Sequence, residues 1–432
     1  MAFAQLRYFS WRALAVSFVL VPAQAFSATI TAVDCNMSSV QAAVTAAADG
    51  DIVVIPSGNC SWTSGINIRK QITLSGQSKG SVLITHNAGS ATLLNVDTGS
   101  QFNTVIRYLN FLPGNSSGGR YLAIGGSGKA PLVYDNYFRI PNFLLLHAIA
   151  HYRNGGVYHH NTFESLDADG TSSGSLQLAA NGDTTSWSRA SSMGSRDTDG
   201  SANTYIEDNV FKNITLQAVD CDNNARSVIR HNKFDNSGFV CHGADTSEYG
   251  ARHTEVYNNT FIFTATPSGG INYPFSINWW WYVRGGTGVV TDNIMPDINS
   301  QTWSNKPELA FIVQQLARNA GPDACCKTYP CLNQVGQSHN GTARVAEPLY
   351  VWNNSGTGKP ETPGILEYTP DECGNGLKSA DFIKVGRDFI SGIPKPNYTK
   401  YIYPHPLVSG YVPPPSAGKT LKSTKTLIKV IK

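Results

Sequence analysis

Residues 229–234 read IRHNKF, and an asparagine two places before a phenylalanine returns along the chain: YDNYF at 134–138, YHHNTF at 158–163, IEDNVF at 206–211 and YNNTF at 257–261. Phe111, Phe138, Phe163, Phe211, Phe234 and Phe261 stand 27, 25, 48, 23 and 27 residues apart. A period in the twenties, built from short β-prone units rich in Gly and Asn, describes a solenoid of stacked coils. The 48-residue step is then two coils, or one coil with a long loop. Leucine-rich repeats share the period, but their Leu-x-x-Leu-x-Leu signature is missing. In stacked coils Asn136, Asn161, Asn209, Asn232 and Asn259 lie one above another at the strand spacing of about 4.8 Å. Asn tolerates the left-handed backbone of a sharp corner, and its amide can bond the next Asn to make a ladder. The Phe two places on points inward. TDNIM (291–295) extends the column with Asn293 and Met295, whereas RYLNF (107–111) puts Leu109 at the ladder position.

The bulk of the chain agrees with such a fold. Hydrophobic residues make up 41% of the 432, enough for a sizeable core, while only 15% are charged and 40 are glycine. A repeat protein can spend this length on one unit. The net charge of +3 is too slight to argue for nucleic acid. Arg7 and Arg12 precede the apolar run ALAVSFVLVP, which ends at Ala23-Gln24-Ala25. That is the pattern of a secretory signal peptide over residues 1–25, and the run is shorter than the roughly 20 apolar residues of a membrane span. No later segment is a span candidate, so a secreted or periplasmic location is expected. Eight cysteines fit an oxidising compartment. Cys35 and Cys60 are expected to pair, as are Cys221 and Cys241 between neighbouring strands. Cys325, Cys326, Cys331 and Cys373 share one C-terminal stretch, and the lack of any CxxC favours disulfides over zinc.

Five segments follow. After the signal peptide, residues 26–100 hold an N-terminal cap and the first coils. Within SSVQAAVTAAADGD (38–51), Val40, Ala43, Val44 and Ala47 keep helical spacing, with Ser38 or Ser39 as N-cap and Gly50 as stop. Such a helix hides the open edge of the first coil. Residues 101–300 are the repeat. Residues 301–410 break it: NKPELAFIVQQLARN (305–319) reads as a helix, a cysteine-rich loop follows, and LYVWNNSG (349–356) reads as one more coil. Residues 411–432 form a basic tail, with five lysines and no acid after Pro415.

The stretch CNMSSVQAAVTAAADGDIVVIPSGNCSW (35–62) and the [V/I]-x-x-N-x-F coils resemble the pectate-lyase-like superfamily over roughly residues 29–300. The resemblance implies an all-β chain: a single-stranded right-handed parallel β-helix with an N-terminal capping helix and an irregular C-terminal region. That fold serves lyases, hydrolases, epimerases and phage or surface proteins, so activity must be argued from a site.

In the resembled family one side of the coil carries the cleft. Counting back from each ladder Asn, its strands are LQAVDCD (216–222), FVCHG (239–243) and WWWYVRG (279–285). Alternation turns Asp220 and Asp222 away from Cys221, and His242 away from Cys241; cysteine inward and charge outward is the favourable choice. Asp220, Asp222, His242 and Arg284 then share one exposed strip, bordered by Arg226, Asp245, Glu248 and Arg252.

Three readings follow. In uronate β-elimination, Asp220, Asp222 and Asp245 are candidate calcium ligands, and His242 or Arg252 is the base. Arg226 and Arg284 pair with substrate carboxylates, Glu248 borders the substrate, and Trp279 and Trp281 stack on sugar faces. In inverting hydrolysis, residues i and i+2 of a strand, about 6.6 Å apart, fall inside the roughly 6.5–9.5 Å wanted for an acid and a base. DCD followed by HG resembles the polygalacturonase arrangement, but lacks its adjacent Asp-Asp, and His242 follows Cys rather than Gly. The third reading is a polysaccharide-binding or adhesin solenoid without catalysis. The preferred expectation is a monomeric lyase acting on an acidic polysaccharide, with calcium as cofactor and neither nucleic acid nor membrane as partner.

Overall fold

The computed structural model describes residues 27–412, less 116–118, 127, 141–146, 153–154, 166–173, 180–195, 198, 215–216, 245–249, 263–278, 296–307, 322, 340–342, 357–358 and 369–370. Among these, three parallel sheets of 12, 10 and 10 strands run the length of the molecule, each strand paired with its counterpart one coil away. The first sheet extends from Thr29–Thr31 to Phe389–Ser391, the second from Gly58–Trp62 to Ser355–Gly356, and the third from Ile66–Ile68 to Lys359–Ile365. Each coil visits them in the order third, first, second. The chain is a right-handed parallel β-helix. Its capping helix, Met37–Ala46, buries Val40, Ala43 and Val44 against the first coil. The Cys35–Cys60 disulfide ties the start of the cap to that coil.

The corner between the first and second sheets explains the recurring word. From the Asp135–Asn136 coil to the Asn353–Asn354 coil, two residues separate one strand from the next. The first of the two is left-handed: Asp135, His160, Asp208, His231, Asn258, Asp292 and Asn353 all have φ between 54° and 58°. The left-handed place therefore belongs to the residue before the ladder Asn, a correction to the sequence reading. Freed from that role, each ladder Asn spends its amide on the coils above and below. Asn232 Oδ1 accepts from Asn209 N (2.9 Å) and Nδ2 (3.1 Å), while Asn232 Nδ2 donates to Ile206 O and to Asn259 Oδ1. The column runs Asn136, Asn161, Asn209, Asn232, Asn259, Asn293, Asn354. It begins at the exception, Leu109, whose N–H donates to Asn136 Oδ1.

Two positions on, the phenylalanines stack inside. From Phe111 to Phe261, neighbouring ring centroids are 4.7–5.1 Å apart, close to the strand spacing that parallel in-register coils impose. The step from Phe163 to Phe211 is one coil carrying a long loop, because Thr162 pairs directly with Val210.

Two further expectations fail. Residues 308–311 form a third-sheet strand rather than a helix, followed by a single 3₁₀ turn at Gln314–Leu316. Leu309 and Phe311 point into the core and Ala310 outward, the period of a strand. Cys221 and Cys241 are register partners on adjacent coils, but both remain free thiols in the core. The other four cysteines pair as Cys325–Cys373 and Cys326–Cys331.

After Ser391 the chain turns back and lies as a strap along the outer face of the first sheet. Lys395 reaches Glu347 and Tyr398 reaches Glu255. Tyr403 stacks on His231, His405 N bonds Glu207, and Tyr411 bonds Asp135. Beneath the strap lie a buried ion pair, Arg230–Glu207 at 2.6 Å, and a half-buried one, Arg196–Glu255 at 2.7 Å.

Candidate active site

The three expected cleft strands lie side by side in the third sheet, with Asp220 opposite Val240 and Cys221 opposite Cys241, then Val240 opposite Tyr282 and Cys241 opposite Val283. Cys221, Cys241 and Val283 point inward. Asp220 and Asp222 therefore point outward, and one step past the strand ends His242 and Arg284 continue the Asp222 column. His242 Nε2 lies 3.0 Å from Asp220 Oδ1, with side chains 17% and 4% exposed. The Arg284 guanidinium rests against the His242 imidazole, and its Nη1 donates to Gln314 Oε1 at 2.5 Å. The Asn223 N–H holds Asp222 Oδ1 at 2.7 Å, and Gln217 reaches Asp220 Oδ2 at 3.4 Å. Burial pushes the Asp222 carboxyl above its ordinary range; His242 and Arg284 pull it down and the like charge of Asp220 pushes it up.

Other residues fall elsewhere. Arg226 opens the first-sheet strand Arg226–Arg230, where alternation aligns it with Val228 and Arg230 on the outer face under the strap. Its charge acts there on Asp197, so it is not part of the strip. Trp281 is wholly buried, stacked on Phe239, with Nε1 donating to Cys241 Sγ. A bulge between Trp279 and Trp281 lets Trp280 turn inward as well. Neither Trp280 nor Trp281 can meet a sugar. Trp279 lies on the strand, but its side chain is outside the described residues, as are Asp245 and Glu248. Arg252 closes the loop after His242: Ala251 N bonds His242 O, and Arg252 N bonds Ala225 O. Its side chain is fully buried at the corner between the third and first sheets, away from solvent.

Two residues with no sequence signal complete the surroundings. Gln314 holds Arg284, and Asn333 packs over the loop ends. A Cβ on Gly285 would stand 2.0 Å from Asn333 O, and one on Gly250 would stand 2.0 Å from Asn333 Nδ2. The Asn333 backbone oxygen requires glycine at position 285, and the Gly243 carbonyl carbon, 2.6 Å from the same added atom, requires it at position 250. Gln314 and Asn333 lie in the long connection from Ile312 to Pro348 within one coil, so no period could point to them. Beyond the strip the outer face of the third sheet becomes apolar, with Val240, Tyr282, Ala310 and Ile312 packed against Leu366 and Tyr368.

The donor set fits a hard cation in kind. Asp220 and Asp222 present two carboxylates on one face, the oxygen donors calcium takes, although three of the four oxygens already meet His242, Gln217 or the Asn223 N–H, and a cation would offset the like charge that Asp220 places beside Asp222. Asp323, Cys326 and Cys331 also converge, but the two cysteines are joined as a disulfide and provide no thiolate.

No family model matches the sequence, and no curated protein does. Solved structures do. A PL6 family polysaccharide lyase from Pseudopedobacter saltans aligns over 80% of each chain at 14% identity, with a TM-score of 0.41. A variant of the PL6 family alginate lyase AlyGC aligns over 79% of this chain at 14% identity and a TM-score of 0.37; this chain spans 50% of it. The catalytic domain of a GH87 alpha-1,3-glucanase in complex with nigerose aligns over 80% of this chain and 66% of its own, at 11% identity and 0.27. The likeness is one of fold. Among the described residues no helix is long and apolar enough to cross a membrane.

Proposed function

We propose that this is an exported enzyme that cleaves an acidic polysaccharide by β-elimination on the Asp220–Asp222–His242–Arg284 strip. The observation that carries the reading is the His242 imidazole held between the Asp220 carboxylate and the Arg284 guanidinium, on an outward sheet face beside a second carboxylate. Arg284 pairs with the substrate carboxylate and drains charge from the adjacent carbon, which acidifies its proton. Asp220 accepts the Nε2 proton of His242 and fixes the ring; Nδ1, against which Arg284 Nη2 rests in the free protein, receives the substrate proton once Arg284 turns to the substrate carboxylate. The C–H electron pair becomes the ring double bond as the glycosidic C–O bond breaks, and the leaving oxygen takes a proton back from the imidazolium. Gln314 fixes the Arg284 fork. Asp220 and Asp222 are the residues that would hold calcium, whose charge would further stabilise the enolate-like intermediate.

The test is incubation with a panel of uronate polymers, following ultraviolet absorbance of the unsaturated product. His242→Ala should lower the rate by about 10²–10⁴-fold while the protein stays folded, and Arg284→Ala should weaken both turnover and binding of polymer. New reducing ends without absorbance would point instead to hydrolysis by the Asp220–Asp222 pair. Full activity in His242→Ala and Arg284→Ala would end the assignment of this strip.

A further inference from the structure

The strap, Arg196 and residues 199–203 border a second concavity, of 810 Å³, on the outer side of the first sheet. It lies within the range of small-molecule sites, about 300–1,000 Å³. Asn103, Ala130, Gly156 and Asn203, which stand just before first-sheet strands or open one, line it on successive coils. Thr204 pairs with Ser227, so Asn203 sits one coil from Arg226. The cavity therefore runs along the same third-to-first corner as the strip, on the neighbouring coils, but opens onto the other sheet.

Its chemistry is specific. Three cations line it, and two are already neutralised: Arg196 by Glu255 and Lys400 by Asp292. Lys129 is exposed and has no acidic partner among the described residues. The exposed Ser201 also lines the cavity, together with Asp199, whose carboxylate accepts the Ser201 N–H at 2.8 Å. Tyr205, Tyr401 and His405 make an aromatic wall: Tyr205 stands edge-on to Tyr401 at 5.9 Å and 4.4 Å from the His405 ring. Burial and the charge of Arg230 hold the His405 pKa down at about 4, so at neutral pH it adds no charge. Glycines 128, 155, 156 and 200 keep side chains out of the space.

One spare ammonium matches one carboxylate; a phosphate dianion would want a second cation or an arginine fork. A purely apolar guest would desolvate Lys129, Asp199 and Ser201 without replacing their water. A sugar ring bearing one carboxylate satisfies all of these: charge on Lys129, hydroxyls on Asp199 and Ser201, an apolar face on the aromatic wall.

We propose that this cavity is a second carbohydrate site, taking uronate units of an acidic polysaccharide and anchoring the polymer beside the strip. The inference shares its ligand class with the proposed function but not its residues. Retardation in native gels cast with polygalacturonate, alginate or neutral dextran tests it, using His242→Ala as parent so that polymer stays intact. Lys129→Glu and Ser201→Trp, added singly, should each lower retention in at least one acidic gel by about threefold or more, the scale of one exposed charge contact. Both should keep the parent's thermal midpoint, and dextran should retain none of them. Unchanged retention in both folded variants, equal retention by dextran, or no retention in either acidic gel overturns the proposal. Lys129-dependent retention without any unsaturated product from the unsubstituted protein would sink the lyase reading and leave this site standing.

Discussion

Two corners of the same coil are built on opposite principles. Between the first and second sheets every turn from Asn136 to Asn354 has two residues, a left-handed one and then the ladder Asn. Between the third and first sheets the connection is Asn223–Ala225 in one coil, His242–Arg252 in the next, and Ile312–Pro348 further along. The first corner repeats because each Asn must meet the amides of the coils on either side; an insertion there would break a column of buried hydrogen bonds. The second corner has no such column, so length and chemistry vary freely, and the strip, its neighbours Gln314 and Asn333, and the strap cavity all lie along it. Regularity holds the tube together and irregularity leaves room for a site.

This contrast can be broken from the regular side first. Phe234→Ala, in the middle of the ring stack, should cost about 3–5 kcal/mol, read as a lowered denaturation midpoint. Asn232→Leu should follow at about 2–4 kcal/mol, since it strands the Asn209 amide and the Ile206 carbonyl in a dry corner. If Asn232→Leu proved neutral, the ladder would be a consequence of stacking rather than a cause.

Acid should act next, mainly through the strap and corner histidines. Burial lowers His405 to about 4 and His159 to about 3, with Arg230 adding to the first and His160 to the second. Both are therefore bound as neutral rings. Their stabilising contribution is complete above the ordinary histidine pKa of 6.5 and is lost as pH falls towards those folded values, because the unfolded chain takes up the protons first. Glu207 and Asp197, whose carboxyls burial raises, work in the opposite sense, in the window that opens just above the ordinary carboxyl values of 4.5 and 3.8. Thermal midpoints measured from pH 7 down to 4 should fall. A midpoint that rises over that range would contradict the neutral assignment of these histidines. The smallest structural effect belongs to the irregular corner: His242→Ala should change stability by about 1 kcal/mol or less, against its large effect on turnover. A loss comparable to Asn232→Leu would mean that His242 is structural.

Much of this was readable from the residues. Asn232 and Phe234 recur in step with their counterparts, and the step alone implies coils, columns and an inward ring. Asp220 and Asp222 flank Cys221, so alternation placed them outward with His242 and Arg284 beside them. The misreadings have local causes. Trp281 alternates with the inward Val283 and so faces the core, not a sugar; the bulge before it adds Trp280 to the same side. Arg226 follows Asp222 by four residues, yet the chain passes a corner in that interval, and its side chain serves another sheet. NKPELAFIVQQLARN has helix-forming residues throughout, but the open edge of the third sheet offered Glu308–Phe311 a strand partner, and tertiary pairing outweighed propensity.

The amino-acid sequence by itself determined the winding: a short-range rule, repeated at a fixed interval, is stabilised by copies of itself and needs no distant information. Only the tertiary structure decided what the non-repeating residues do. Gln314 on Arg284, Asn333 over Gly285, and a strap returning along the first sheet as far as Asp135 are contacts between segments with no common period. Their positions depend on where the tube has already carried the chain.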